Sequence, residues 1–234
     1  MDFDYKRDTV DHYQNFEKAS RYHIAYTQPR TLRELRSWLV ARREIICACS
    51  LLRLIDVDKA IDIPAGTGKM AHVLAEKANK IIAIDISQSM LDIAELEYKA
   101  AGAGDVDFIR ASAEEIQSLV LESDVILCVR LFHRVPKEQR RIILEGFSKV
   151  APYVILTYGE RTPWQMIRKK LLDFLLRSSD TSMPLRVTRG EFEAELSEWF
   201  SIEKRMSVIP FLSAEYFLLL KSIKCDREQT GKVL

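Results

Sequence analysis

The sequence predicts an α/β fold in which helices cover both faces of a mainly parallel sheet. Three observations lead there. Short, continuously apolar runs alternate with helix-like segments between residues 59 and 160. The first of these runs breaks into a glycine-bearing turn, "AIDIPAGTGKM" (residues 60–70). The last two apolar runs, near the C-terminal end, are joined too tightly for a parallel crossover.

Residues 1–30 are polar with scattered aromatics, Phe3, Tyr5, Tyr13, Phe16, Tyr22 and Tyr26. From Thr31 to Leu54, Leu32, Leu35, Leu39, Ile45, Ile46, Cys49 and Leu52 recur at three- and four-residue steps, which predicts an amphipathic helix. Then "KAIDI" reads as a strand and "KMAHVLAEKA" as a helix; "KIIAIDI" is a second strand and "SMLDIAELEYKAAG" a second helix. "VDFIRA" is a third strand, "AEEIQSL" a short helix and "DVILCVR" a fourth strand. "PKEQRRIILEGFSKV" opens on Pro136 and puts Ile142, Ile143, Phe147 and Val150 on one side. "YVILTYGE" is the fifth strand. The tail adds helices in "TPWQMIRKKLLDFLLRSS" and "TRGEFEAELSEWF", then "SIEKRMSVI" and "AEYFLLLKS" as an antiparallel hairpin at the sheet edge.

Composition sets bounds on function. With 234 residues, 47% of them hydrophobic, a sizeable core is available to one domain. A net charge of +1 argues against a broad nucleic-acid surface. Cys47, Cys49, Cys128 and Cys225 form no CxxC pair, so they read as free thiols, and no metal site is expected. "MDFDYKRD" lacks the apolar core of a signal peptide, and "IICACSLLRLI" is interrupted by Arg53, short of the ~20 residues a span needs. The expectation is a soluble, cytoplasmic protein without membrane insertion.

The glycine turn is the chemical signal. A Walker-type ATP loop is excluded, because Ile63 stands where its first glycine belongs and Met70 follows Lys69. A dinucleotide fingerprint is matched by Gly66, Gly68 and Ala71, with Asp85 ending the next strand 17 residues beyond Gly68. A third ligand, S-adenosylmethionine, carries no phosphate and needs a turn that lets backbone pass close to its amino-acid part and ribose.

For this third ligand the motifs occur in order. "AIDIPAGTGKM" resembles the first motif of Rossmann-like, class I S-adenosylmethionine-dependent methyltransferases, D/E-x-G-x-G-x-G: Asp62, Gly66 and Gly68 match, and Pro64 replaces the first glycine. "IIAIDISQSML" resembles the second, "FIRASAEEI" the third, and "SDVILCVRLFHRVP" the fourth strand and its loop. The resemblance covers residues 58–160 and implies a doubly wound seven-stranded sheet, order 3-2-1-4-5-7-6, with an antiparallel C-terminal hairpin and a helical N-terminal cap. It implies one domain: a cap or lid over 1–56, a cofactor-binding core over 57–160, a helical insertion over 161–190, and a final helix and hairpin over 191–223.

The resemblance also assigns residues. Asp62, Pro64, Ala65, Gly66, Thr67 and Gly68 would line the methionine end, with Asp85 on the ribose hydroxyls and Ile86 and Met90 beside the adenine. Ser112, Ala113 and Glu114 stand where the family often has an adenine-amino acceptor, and Cys128 ends the fourth strand. Tyr13 and Tyr22 (with Tyr26) would fold over the cofactor as a lid. Each has a structural alternative: the glycines as a tight turn, Asp85 as a charge at a helix start, Ser112 as a helix cap, the tyrosines as ordinary packing.

Ligands in such folds gather at the carboxyl ends of the strands, so the catalytic candidates are His133, Arg130 and Tyr158. His133 is the candidate base, since an unperturbed imidazole titrates at ~6.5; packing at the loop is its alternative. Arg130 and Arg134 would recognise an anionic acceptor. Glu160 lies beside Tyr158. The helix over 163–180 (Trp164, Ile167, Leu171, Phe174, Leu175 on one face) covers the body, the substrate pocket, a homodimer contact or a membrane surface. No Asn/Asp-Pro-Pro-Tyr-type motif follows the fourth strand, which disfavours DNA- or protein-amine acceptors. The expected activity is methyl transfer from S-adenosyl-L-methionine to an oxygen of a small molecule, leaving S-adenosyl-L-homocysteine. An NAD(P)-dependent oxidoreductase and a non-catalytic S-adenosylmethionine-binding partner subunit are the alternatives.

Overall fold

The computed structural model describes residues 16–27, 31–161, 185–210 and 213–223. Helices α1 (Phe16–Thr27) and α2 (Leu32–Leu52) precede β1 (Lys59–Asp62), α3 (Ala71–Lys77), β2 (Lys80–Asp85), α4 (Gln88–Ala100) and β3 (Asp105–Arg110). A 3-10 helix over Ala113–Leu119 leads to β4 (Val125–Cys128), α5 (Lys137–Val150) and β5 (Tyr153–Gly159). Helix α6 (Arg189–Leu196), β6 (Phe200–Ser207) and β7 (Glu215–Ser222) complete the elements of the described residues. The seven strands lie in the order β3-β2-β1-β4-β5-β7-β6. Strands β1 to β5 pair in parallel, and β7 runs antiparallel to both β5 and β6. This is the expected Rossmann-like order with its terminal hairpin.

Period-two alternation divides the core between the two faces. Ile61, Ile82, Ile126, Val154 and Leu218 face α5, α6 and the 3-10 helix. Ala60, Ile81, Val125, Ile155 and Phe217 face α2, α3 and α4. Thr31 starts α2 with a capping box, accepting from the Glu34 N–H while the Glu34 carboxylate accepts from the Thr31 N–H. Edge strand β6 carries a bulge between Ile202 and Lys204 and charged residues, which discourages pairing with another chain.

Two helix faces differ from the sequence reading. On α2, Leu35, Leu39 and Ile46 are exposed; Leu52 is buried as expected, and with it the stripe is Ala41, Glu44, Cys47, Ala48 and Leu51. Small residues let α2 approach β5 and β7 closely, so the stripe counted from large side chains is rotated away from the real one. On α5, Ile142 is exposed and Arg140 is buried with Ile143, Phe147 and Val150. The guanidinium is held by Glu195 of α6 through Nε–Oε2 at 2.9 Å and Nη2–Oε1 at 2.8 Å, and it donates to the Val135 carbonyl at 3.0 Å. That partner is distant in sequence, so periodicity does not reveal it.

Candidate active site

The carboxyl ends of β1 and β2 place Asp62 and Asp85 side by side across the first crossover. Both are buried. The turn after β1 bends back over β2: Ala65 N–H donates to the Ile84 carbonyl at 2.8 Å and Gly66 N–H to Asp85 Oδ2 at 2.9 Å. Ser87 N–H donates to Asp85 Oδ1 at 2.9 Å, and the Ser87 hydroxyl caps α4. Each Asp85 oxygen thus takes one backbone donor and keeps acceptor capacity for a ligand hydroxyl. Burial pushes Asp85 up to about 6, against the backbone hydrogen bonds from Ser87 and Gly66 that favour its charge.

Asp62 has a different role. The Tyr98 hydroxyl of α4 donates to its Oδ2 at 2.7 Å, locking β1 to α4. Burial pushes Asp62 up to about 7, with Tyr98 opposing and Asp85 adding to the rise. Both groups therefore keep in the folded state a proton that the unfolded chain releases near pH 4. Their contribution to stability is full below about pH 4 and is lost as pH climbs towards 7. His133, held low, contributes in the opposite direction over the same range, so the Asp62 share is isolated by difference. Denaturant unfolding should show Asp62→Asn losing less free energy between pH 5 and pH 7.5 than the unmutated chain.

The two glycines of the turn do separate jobs. Gly66 has φ +54° and Gly68 φ +76°, the left-handed region. A Cβ on Gly66 meets no heavy atom within 4 Å, which leaves that side open for a ligand. A Cβ on Gly68 would lie 2.8 Å from Glu97 Cβ and 3.1 Å from Ala94 Cα, so Gly68 seats the turn against α4. Gly66→Ala should cost about 1–2 kcal/mol from backbone strain alone, and Gly68→Ala clearly more; chemical denaturation of the two variants checks the order. Pro64, Ala65 and Thr67 complete the turn, with Ala65 and Thr67 buried.

Farther along, Met90 packs with Ile93 and with Ala19 of α1, next to the half-buried Ile86. Ser112 caps the 3-10 helix: its hydroxyl accepts from the Glu114 N–H at 3.3 Å and its N–H donates to Glu115 Oε2 at 2.8 Å. The helix-cap alternative for Ser112 is thus present, and Ala113 and Glu114 form the first turn. Cys128 is fully buried at the end of β4, its thiol pushed up by burial. Tyr13 and the side chains of Tyr22 and Tyr26 lie outside the described residues, as do Cys225 and residues 163–180, where the sequence predicts a helix.

The candidates after β4 and β5 belong to two ionic networks. Arg130 adopts φ +65°, uncommon for a residue with a side chain. Its N–H donates to Thr157 Oγ1 at 2.7 Å and its Nε to Glu44 Oε1 at 2.6 Å. Lys69, from the glycine turn, reaches Glu44 Oε2 at 2.5 Å. Tyr158 donates to Glu160 Oε2 at 2.9 Å and accepts from Arg205 Nε at 3.3 Å, while Arg205 also pairs with Glu160. Its ring stacks on Phe192 at 4.6 Å, and burial pushes its hydroxyl up.

His133 does not titrate near neutrality. It is 2% exposed, and burial together with Arg134 and Arg130 holds its imidazole well below the usual range. Its Nδ1 has no hydrogen-bond partner among the described residues. His133 is a neutral imidazole at the loop, and burial disfavours the protonated form that a proton acceptor must pass into.

Sequence reading missed Glu44, Lys69 and Glu215. The signal was present: Glu44 is the acid inside the small-residue stripe of α2, and Glu215 opens the apolar run "EYFLLL". Among the described residues no group of three or more His, Cys, Asp or Glu could hold a metal ion. None of the described helices is long and apolar enough to cross a membrane.

Comparison with known proteins agrees with this arrangement. Residues 60–152 match the family model described as a methyltransferase domain. A protein of Clostridium tetani (strain Massachusetts / E88) named an uncharacterized RNA methyltransferase is 27% identical over 95 residues, 41% of this chain and 21% of that protein. The match thus spans about a fifth of that relative's length. Magnesium protoporphyrin IX methyltransferase from Synechocystis PCC 6803, solved with bound S-adenosylhomocysteine, superposes with a TM-score of 0.74 at 14% identity, over 93% of this chain and 99% of that one. An N-methyltransferase from Bradyrhizobium japonicum WM9, in complex with S-adenosyl-L-homocysteine, superposes at 0.64 with 13% identity, over 90% and 98%. The fold of this chain is the Rossmann-like fold of those methyltransferases.

Proposed function

We propose that the protein is an S-adenosyl-L-methionine-dependent methyltransferase acting on an oxygen of a small molecule. The observation that carries this is the Gly66–Asp85 link. It brings an open glycine turn and a buried carboxylate together at the carboxyl ends of β1 and β2, where α/β sheets bind ligands. The residues fit the cofactor: open backbone at Gly66 for its amino-acid part, Asp85 for its ribose, Met90 and Ile86 for its adenine. Bound there, S-adenosyl-L-methionine supplies an activated methyl group. The chain positions the acceptor, excludes water and accepts a proton if the acceptor is a hydroxyl.

The insertion of antiparallel β7 between β5 and β6 supports this reading over an NAD(P) oxidoreductase, whose sheet order is 3-2-1-4-5-6. The solved structure named for a porphyrin supports a small acceptor, and the net charge of +1 agrees. RNA is the second reading, because the Clostridium relative is named an RNA methyltransferase. Incubating the protein with methyl-tritiated S-adenosyl-L-methionine and a fractionated cell extract separates the two. Label should enter the small-molecule fraction; label confined to RNA contradicts the acceptor class proposed.

A further inference from the structure

Four elements converge beside the proposed site: Glu44 from α2, Lys69 from the glycine turn, Arg130 after β4 and Glu215 at the start of β7. Glu215 pairs in register with Gly159, the last residue of β5, so it lies at the carboxyl end of the parallel sheet. Both glutamates are fully buried. Glu44 is held by both cations, Arg130 on Oε1 and Lys69 on Oε2. Neither oxygen of Glu215 receives a hydrogen bond from a donor among the described residues, and its side-chain neighbour is the Glu44 carboxyl. Its main chain, by contrast, is fixed, with N–H donating to Ser213 Oγ at 3.0 Å and carbonyl accepting from Val208 N–H at 3.1 Å.

A buried carboxylate without donors is costly unless it keeps its proton. Burial pushes Glu215 up, and the Glu44 charge beside it adds to the rise, while Arg130 and Lys69 oppose. Burial also works against the Glu44 charge, but Arg130 and Lys69 outweigh it and hold that carboxyl low. Protonated, Glu215 donates to Glu44, so the two titrate as a pair. The buried Cys47 thiol of α2 faces the same pair. Arg130, which reaches the pair through its Nε, has φ +65°.

We propose that Glu44 and Glu215 share one proton, and that this pair, rather than His133, takes up the proton lost by the methyl acceptor. The assignment rests on the methyltransferase reading. As the acceptor oxygen forms its bond to the methyl carbon, the carbon–sulfur bond breaks and its electron pair stays on sulfur. The acceptor's O–H proton passes to the ionised Glu215 carboxylate and later to solvent. Glu215 must therefore be ionised beforehand. The positive sulfonium of the bound methyl donor favours that state through its charge. The neutral thioether of the product favours the protonated state, so the charge of the pair follows the charge on sulfur.

Calorimetric titration in two buffers of different ionisation enthalpy counts the protons released on binding. At pH 7, S-adenosyl-L-methionine should release more protons than S-adenosyl-L-homocysteine, the difference approaching about one per site. Asp62 and Asp85 also hold raised protons, so the comparison is repeated on Glu215→Gln. This variant should bind both ligands and lose most of the difference. If it fails to fold, Glu44→Gln serves, because Glu215 then ionises beside Arg130 and Lys69 before any ligand arrives and the difference again disappears. Equal proton release by the two ligands on the unmutated protein overturns the proposal, as does a difference that persists in the variant. Absence of binding by either ligand to the unmutated protein contradicts the methyltransferase reading itself, and the shared-proton role with it.

Discussion

Asp85→Ala should bind S-adenosyl-L-homocysteine at least ten-fold more weakly than the unmutated protein. A hydrogen bond to a charged partner is worth about 1.5–3 kcal/mol, and about 1.4 kcal/mol is a factor of ten in affinity. Two ribose hydroxyls on one carboxylate would lose more than that threshold even with partial replacement by water. The substitution also strips the acceptors from Gly66 N–H and Ser87 N–H, so a loss of stability of about 1–3 kcal/mol per orphaned group accompanies it. The Ser87 cap of α4 and the strand pairing of β2 with β1 and β3 remain, and the fold should survive. Calorimetry at a temperature well below the variant's melting point separates the two effects. An unchanged affinity would mean that Asp85 only pins the glycine turn to β2.

Glu195→Ala should destabilise the fold by about 3–5 kcal/mol, the cost of leaving one member of a buried ion pair uncompensated. Arg140 and Glu195 are 4% and 7% exposed and joined by two short hydrogen bonds, so water cannot replace the lost carboxylate without opening the α5–α6 contact. Arg140→Met combined with Glu195→Leu should recover most of the loss, because matched apolar residues remove both desolvation costs. Urea denaturation of the single and double variants measures both. A single variant as stable as the unmutated chain would show that the guanidinium finds solvent, contrary to the packing described.

The sheet was legible because its strands are short apolar runs flanked by helix signals, and the tight link before β7 allowed only an antiparallel return. Strand identity needs only local pattern; strand order in the interior came from family resemblance. Among site residues, Gly66, Gly68 and Asp85 were readable because a turn followed by an acid at the next strand's end has a fixed geometry. Glu44, Arg130, Lys69 and Glu215 were not assembled in advance, since their elements are separated by as many as six strands of chain. His133 shows the limit most clearly. Its position after β4 was inferred correctly, but its charge depends on burial and on Arg134 and Arg130, which only the three-dimensional arrangement supplies.

The central claim is that the Gly66–Asp85 site takes the methionine nucleoside and not a nicotinamide dinucleotide. Melting temperature measured with saturating S-adenosyl-L-homocysteine, S-adenosyl-L-methionine, NADH and NADPH tests it directly. A ligand that binds only the folded state stabilises it by about 2.7 kcal/mol at a hundred times its dissociation constant. The melting temperature should rise clearly with the two methionine nucleosides, less so in Asp85→Ala, and not with the dinucleotides. An equal or larger rise with NADH or NADPH, and none with the nucleosides, would contradict it.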